Sequence, residues 1–297
     1  MLTFTGSRNL FGKLANDSSS ANLTLGDTLI NLFIKKISKK FNFLEDTFTI
    51  TTVASQQFYD LPNDFAKYKN CFLTIGTTNY YPELITTRKK WDEINSTTSI
   101  TSTIPQYCFI FNGQIGFYPK PSTAAYSITL VYHIRYKDLS VADCTTGTIT
   151  SIANAGTALV GSGTTWTSAM VGRYIQITET QGGDGYWYKI GAFVSTTALT
   201  LDRPYEGTSI AAAMATYTIG QVSPIPEDYQ ALPIFEALTL FFTSVKPDTN
   251  KAALYKMQAQ EMKDGILEDY GSVSLDPRIS EENLPPENPN NYLFSAS

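Results

Sequence analysis

Apolar residues near the start of the chain recur at the three-to-four spacing of an α-helix. They fall on one face, up to residue 41: Leu25, Leu29, Ile30, Phe33, Ile34, Ile37 and Phe41. Thr24 and Asp27 resemble a capping box in which Asp replaces Glu or Gln, so we expect the helix to begin there. Lysines fill its final turns, where cations complement the helix dipole: Lys35, Lys36, Lys39 and Lys40.

Between residues 47 and 136 the apolar period changes from that of a helix to that of a strand. A short helical piece around Trp91 lies within this region. Asn112 and Gly113 separate two strand-like runs, and this pair predicts a tight hairpin because both residue types tolerate positive φ angles. Apolar and polar residues then alternate over residues 126–136, which is typical of an antiparallel strand with one buried face.

Residues 145–220 have a different character, because they are dense in Gly, Thr, Ser and Ala and contain short strand-like runs. Turn clusters such as residues 182–185 separate these runs. Short strands at this spacing are typical of a small barrel or sandwich. We interpret the segment as a β-domain inserted into the surrounding fold.

The helical period returns after Pro226. Residues 232–242 are largely apolar, and we place Pro233 in the first turn of this helix and Asp228 at its N-cap. A second helix is predicted from Thr249 to Tyr270.

The last stretch, residues 276–297, contains several prolines among Glu and Asn residues. Such a composition lacks the apolar residues that a packed core needs, so alone it is typical of an extended tail. We expect this tail to be held against a partner. The predicted partner-binding residues are Pro285, Pro286, Tyr292, Leu293 and Phe294.

These patterns predict an α+β protein. Helices from the N- and C-terminal parts form a helical bundle beside an antiparallel β region, and a small β-barrel or sandwich domain is inserted. The predicted divisions are residues 1–144 for the core with its N-terminal helix and β region, 145–220 for the inserted domain, 221–275 for the helices that complete the core, and 276–297 for the extended C-terminal arm.

Composition favours a protein that makes contacts rather than one that grips nucleic acid. Only 16% of residues are charged and 13% are aromatic, a mixture that suits strands and interfaces. The net charge of −5 argues against nucleic-acid binding as the main task, which needs clustered Lys and Arg. Three widely spaced cysteines (Cys71, Cys108 and Cys144) match no zinc or redox spacing, so we expect small reduced thiols. No stretch has the length of a signal peptide core or a membrane span, which predicts folding in a cytoplasm without a membrane partner.

A search for catalytic chemistry finds little. His133 is the sole histidine and its strand parity places it on the polar face, so we interpret it as a surface residue. Residues 182–185 lack the ligand ladder of a calcium loop and predict a turn. The acidic residues of the last predicted helix are interleaved with lysines, as on a solvated face. We therefore predict a protein that is not an enzyme, with no catalytic residue, cofactor or metal.

The order of turns and aromatic residues resembles the adaptor (head-to-tail connector) proteins of tailed bacteriophages, including the tail tubular protein A type of short-tailed phages. The resemblance covers roughly residues 20–140 and 222–270. Its motifs are residues 59–65 (YDLPNDF), 80–82 (YYP), 91–92 (WD), 105–107 (PQY), 113–119 (GQIGFYP), 121–122 (PS) and 225–229 (IPEDY). The segment 145–220 departs from the compact adaptors, which lack such an insert.

The resemblance implies a structural virion protein that forms a homo-oligomeric ring of twelve copies in the neck of the particle. The ring would sit between the portal and the tail nozzle or tail tube, with tail fibres as further partners. Genomic DNA would pass through its lumen during ejection without specific binding. The arm at residues 276–297 would reach the portal, and assembly would take place in the cytoplasm of a host bacterium.

Two other function classes stay open. The first is a receptor-binding, fibre-docking or decoration protein of the same virion, with residues 145–220 as the docking module. Two amphipathic helical regions and a Pro-rich arm favour the adaptor over this alternative. The second is a cell-wall hydrolase, which a peptidoglycan zymogram would detect.

Overall fold

A computed structural model describes residues 1–41, 43–96, 100–124 and 126–270 of the chain. The helices are α1 (Phe4–Ala15), α2 (Ser20–Phe41), α3 (Arg88–Asn95), α4 (Leu232–Ser244) and α5 (Thr249–Tyr270). The strands before residue 145 are β1 (Glu45–Thr51), β2 (Phe58–Asp60), β3 (Phe65–Ile75), β4 (Thr78–Tyr80), β5 (Glu83–Ile85), β6 (Thr101–Ser102), β7 (Tyr107–Phe111), β8 (Gln114–Tyr118), β9 (Lys120–Pro121) and β10 (Ser127–Ile134). The later strands are β11 (Thr148–Ile152), β12 (Ala158–Ser162), β13 (Tyr174–Ile177), β14 (Trp187–Ser195), β15 (Ala198–Leu201), β16 (Ile210–Ala215) and β17 (Tyr217–Gly220).

Four helices, α1, α2, α4 and α5, share one hydrophobic cluster. The apolar stripe predicted for α2 is largely buried in it, and α4 lies at its centre, since α4 packs against the other three. Phe11 of α1 meets Phe241 of α4 edge to face, with ring centroids 5.6 Å apart. Phe242 of α4 stacks on Tyr255 of α5. The helices therefore hold the first and last described parts of the chain together.

Two four-stranded sheets form the β region next to these helices. One has the order β1-β10-β3-β4 and is antiparallel throughout, and the other has the order β2-β8-β7-β5 with a parallel β5–β7 pair. The inward residues of both sheets belong to one buried cluster, as expected for sheets packed face to face. Asn112 and Gly113 both have positive φ angles and turn β7 into β8, which confirms the predicted hairpin.

The segment between Thr148 and Gly220 forms a curled seven-stranded sheet of order β16-β11-β12-β15-β14-β13-β17. The two terminal strands of that order, β16 and β17, are separated in sequence by Thr216 alone. The sheet therefore curls into a barrel-like form, because one bent run of chain supplies both of its edges. Its interior is a separate hydrophobic cluster that includes the fully buried Trp166.

The structure confirms the α+β class with antiparallel sheets, and it places α5 where the sequence predicted. It corrects two helix starts. Helix α2 begins at Ser20, and Thr24 lies inside it with its hydroxyl donating to the Ser20 carbonyl, so the predicted capping box is wrong. Helix α4 begins at Leu232 after Ala231, and Asp228 lies in a preceding 3₁₀ turn instead of capping it. The division of the chain into domains stays a prediction.

Candidate assembly surfaces

The five predicted partner-binding residues lie outside the described residues. Pro285, Pro286, Tyr292, Leu293 and Phe294 all fall within 271–297, beyond the end of α5. The structure therefore brings none of them to a site. Candidate contact surfaces must be sought on the helices and sheets that precede them.

One such surface is a cleft of about 600 Å³ where the second half of α2 faces the start of β3 and the end of β10. We call it the basic cleft. Its lining contains several basic side chains and no Asp or Glu: Lys35, Ser38, Lys39, Phe43, Leu44, Ala66, Lys67, His133, Ile134, Arg135 and Tyr136. In a protein of net charge −5, this is a local concentration of positive charge.

Two hydroxyl groups of the basic cleft have no hydrogen-bond partner within the described part of the chain. Ser38 is only 5% exposed, and its Oγ is buried without a partner. The phenol oxygen of Tyr136 is in the same situation. Burial raises the pKa of Tyr136, so its phenol stays protonated and can donate. A buried hydroxyl without a partner carries a desolvation cost, which an acceptor placed in the cleft would relieve.

The predicted surface histidine proves to be a lining residue of this cleft. The side chain of His133 is 14% exposed, and its Nδ1 lies 3.9 Å from a carboxylate oxygen of Glu45. The strand parity correctly separated it from the core formed by Leu130 and Tyr132, but α2 covers the face that the sequence assigned to solvent.

The described chain also ends at this cleft. The ring of Tyr270, the last residue of α5, meets the ring of Phe43 edge to face at 5.9 Å between centroids. Phe43 in turn lines the basic cleft. The described part of the chain therefore ends close to the cleft.

A second surface is the outer stripe of α2, formed by Leu32, Lys36 and Lys40, which we call the cationic edge. These residues recur every four positions, so they lie one above the other on the helix. Leu32 is 54% exposed, and no described carboxylate forms an ion pair with either lysine. Each ammonium group lies instead over a phenylalanine ring of its own helix.

A third surface is the outer stripe of α5, formed by Met257, Glu261, Asp264 and Glu268, which we call the acidic edge. Met257 is 62% exposed. No described cation pairs with the three carboxylates, although Lys263 on another side of the helix pairs with Glu236. Negative charge in the last turn of a helix opposes the helix dipole, so Glu268 sits where its own helix does not favour it.

The two helices that carry these edges run in the same direction. Both α2 and α5 pack on α4. Their starts are close, since Asp17 and Lys246, which precede them, are 4.0 Å apart. Their ends are also close, through Phe43 and Tyr270.

The described residues give little support for a metal site or a reactive thiol. Within the residues that the structure describes, no group of three His, Cys, Asp or Glu side chains could hold a metal ion. Cys71 and Cys108 are buried free thiols, whereas Cys144 is only half-buried. A hydrogen bond to Cys108, together with burial, raises the pKa of Cys71, so that thiol stays protonated. In the same described ranges, no helix combines the length and hydropathy needed to cross a membrane.

Sequence reasoning missed both the cleft and the first helix. Helix α1 had a detectable signal, because Thr3 accepts a hydrogen bond from the Gly6 amide at its N-cap and Phe4, Phe11 and Ala15 share a buried face. The cleft had no comparable signal, since its residues come from separate parts of the chain.

Comparison with protein families gives a match. The family model for the SU10 adaptor protein matches residues 6–155. The match spans α1 to β11, and it therefore includes α2, both four-stranded sheets and the start of the curled sheet. No curated protein matches the chain.

Proposed function

The chain belongs to the SU10 adaptor protein family, and we propose that this phage structural protein forms the ring-shaped head-to-tail adaptor of its virion. Copies stand side by side in a ring of twelve between the portal and the tail nozzle or tube, as in adaptors of the tail tubular protein A type. The four packed helices act as the bundle of each subunit. Genomic DNA passes through the lumen, and the net charge of −5 supports passage without adhesion.

The observation that supports the ring is that the charges of the cationic edge and of the acidic edge occupy matching positions along α2 and α5. Helices α2 and α5 each have 22 residues and start side by side. Counted from the start of its helix, Lys36 of α2 lies one residue further along than Asp264 of α5. The same difference separates Lys40 of α2 from Glu268 of α5. At about 1.5 Å of rise per residue, each pair lies at nearly the same height.

Matched heights are what a ring requires. A rotation about an axis parallel to α2 and α5 moves the neighbouring subunit sideways without lifting it, so in the proposed ring residues at equal height along these helices meet across the interface. The interface is heterologous, with the α2 edge of one copy against the α5 edge of the next. Leu32 and Met257 add apolar area to the charged pairs.

The expected strength of the contact between neighbouring copies follows from the solvent exposure of its residues. An exposed ion pair contributes roughly 0.2–1 kcal/mol and is weakened by salt. Two such pairs and two apolar side chains give a weak contact between free copies, so we expect the ring to form on the portal and not in dilute solution. The arm residues Tyr292, Leu293 and Phe294 would supply the portal contact.

Charge reversal tests this arrangement. The first variant is Lys36→Glu/Lys40→Glu, the second is Asp264→Lys/Glu268→Lys, and the third combines all four changes. Each protein is mixed with the portal, and electron microscopy measures the fraction of portals that carry a ring. We expect both double variants to lose rings at least tenfold and the combined variant to regain them.

The matched control is Lys89→Glu on α3, which reverses a lysine whose side chain is 89% exposed and lies away from both edges. Rings that survive both double variants would refute the edge pairing. A wild-type protein that stays monomeric and ignores the portal would refute the adaptor function and favour the receptor-binding alternative.

A further inference from the structure

We propose that the basic cleft binds the acidic segment 276–287 of the same chain. The inference concerns the single subunit before assembly, so it does not depend on ring formation. It rests on the chemistry of the cleft, on the place where the described chain ends, and on the charge of the residues that follow.

The chemistry of the cleft fits a carboxylate. Lys39, Lys67 and Arg135 supply charged donors, and none of the described carboxylates pairs with them. Lys35 differs because it pairs with Asp138 at 2.6 Å. Hydrogen bonds between charged donors and carboxylates are shorter and stronger than those between neutral groups. A carboxylate oxygen would also accept from the buried hydroxyl of Ser38 or from the protonated phenol of Tyr136.

The site is also a built cavity. Its volume of about 600 Å³ lies within the range of ligand pockets. Phe43, Leu44 and Ile134 give it apolar walls beside the cations. Such walls lower the local dielectric constant and strengthen each ionic contact relative to one on an open surface.

The segment that follows α5 carries the complementary charge. Residues 276–287 contain Asp276, Glu281, Glu282 and Glu287 against Arg278 alone. The preceding residues 271–275 are uncharged and serve as a connection.

The segment is within reach of the cleft. Tyr270 contacts Phe43 at the cleft wall. An extended chain covers about 3.3–3.6 Å per residue, so the residues between Tyr270 and Glu281 can span roughly 36 Å. A tethered segment also binds at a high effective concentration, which favours contact with the cleft of its own chain over that of another copy.

Docking of segment 276–287 would also restrain the rest of the C-terminal arm. Tyr292, Leu293 and Phe294 lie beyond the docked segment, so docking holds them beside their own subunit. Portal binding by these residues would then compete with the cleft for the arm.

Carbodiimide crosslinking of the full-length protein tests the contact directly. The reagent joins a lysine amine to a carboxylate that touches it, and mass spectrometry identifies the joined peptides. The ion pair between Lys69 and Glu45, at 2.6 Å, serves as the internal positive control. We expect additional crosslinks from Lys39 or Lys67 to Glu281 or Glu282, and a mixture of isotope-labelled and unlabelled protein should show them within one chain. An absence of these links while Lys69–Glu45 forms would overturn the proposal, as would links found only between chains.

Charge variants give a second readout. Glu281→Gln/Glu282→Gln should increase hydrogen exchange of the cleft segment 132–137 at least threefold. The control Glu179→Gln/Glu206→Gln removes the same charge from two exposed residues that belong to neither edge nor to the cleft, and it should leave that exchange unchanged. Equal exchange in wild type and in Glu281→Gln/Glu282→Gln would contradict docking. If added double-stranded DNA protects the cleft while the tail variant has no effect, the cleft binds phosphate and the proposal is wrong.

Discussion

The carboxylate of Asp17 lies 4.0 Å from the ammonium group of Lys246, at the point where the chain enters two helices of equal length. This contact joins the α1–α2 junction to the α4–α5 junction. Tyr255 reinforces it, because its hydroxyl donates to the Leu14 carbonyl at 3.3 Å. The N-terminal and C-terminal helical pairs are thus fixed at one end by polar contacts and at the other by Phe43 and Tyr270.

Close packing between α1 and α2 depends on Gly26. A Cβ added there would lie 2.5 Å from Cδ1 of Phe11, which is fully buried and packs on Phe241. We expect Gly26→Ala to lower the free energy of unfolding by about 1–3 kcal/mol, because the Phe11 ring has no free space to move into. Chemical denaturation followed by circular dichroism measures it.

Gly265 provides the matched control inside α5. A Cβ there would lie 2.9 Å from the hydroxyl oxygen of Tyr229, so only the far end of a half-buried side chain has to shift. Gly265→Ala should be neutral or stabilise by up to about 1 kcal/mol, since alanine favours the helix. If the two substitutions cost the same, the role assigned to the Gly26–Phe11 contact is wrong.

Asp27 should make the protein less stable as pH rises. Burial raises the pKa of its carboxyl, and the guanidinium of Arg8 only partly opposes this effect. The folded state therefore holds this proton at pH values where the unfolded state has lost it. Stability falls as pH increases from about 3.8 through the raised pKa, and the loss persists above it. Relative to wild type, Asp27→Asn should gain melting temperature over that window and keep the gain at neutral pH.

For Asp17 we predict the opposite dependence of stability on pH. The Ser19 amide donates to its carboxylate at 3.0 Å and lowers its pKa. The carboxylate therefore stabilises the fold above the unfolded pKa, and this contribution disappears as pH falls through the lowered value. Asp17→Asn should lose melting temperature at neutral pH and match wild type in acid. Parallel pH curves for the two variants would contradict both assignments.

Local patterns were enough for much of the fold. The apolar stripe of α2 and the Asn112–Gly113 turn are set by neighbouring residues, so the sequence predicts them. The helix starts were wrong because a capping pattern does not distinguish Thr24 from residues one turn earlier.

The candidate surfaces could not be predicted in the same way. The basic cleft joins Lys39, Lys67 and Arg135, which come from separate parts of the chain and meet only in the folded protein. The sequence pattern attributed the lysines of α2 to the helix dipole. That local effect carries no information about which residues lie near these lysines in the folded protein. The predicted arm residues stay a prediction, since they lie outside the described residues.

Removal of the predicted insert at a paired backbone junction tests the predicted domain division. Cys144 and Ile219 exchange both backbone hydrogen bonds, with N···O distances of 2.8 and 2.9 Å. Such a pair is the geometry that a two-residue Asn-Gly hairpin closes. We therefore expect a variant in which Asn-Gly replaces residues 145–218 to fold, because the buried cluster of the insert is separate from the other clusters.

Tryptophan fluorescence gives a sharp readout of that deletion. The deletion removes two of the three tryptophans and leaves Trp91, which is buried and stacks on Phe109 at 5.2 Å between centroids. Blue-shifted emission from Trp91, together with the helical signal of α1, α2, α4 and α5, would establish that the remaining chain folds without the insert. Red-shifted emission from Trp91 would show that the curled sheet is part of the core.

A control in the full chain is Tyr217→Phe. This substitution removes the hydroxyl that accepts a hydrogen bond from the Trp166 indole at 2.9 Å. That variant should destabilise the insert by about 1–3 kcal/mol and leave the environment of Trp91 unchanged.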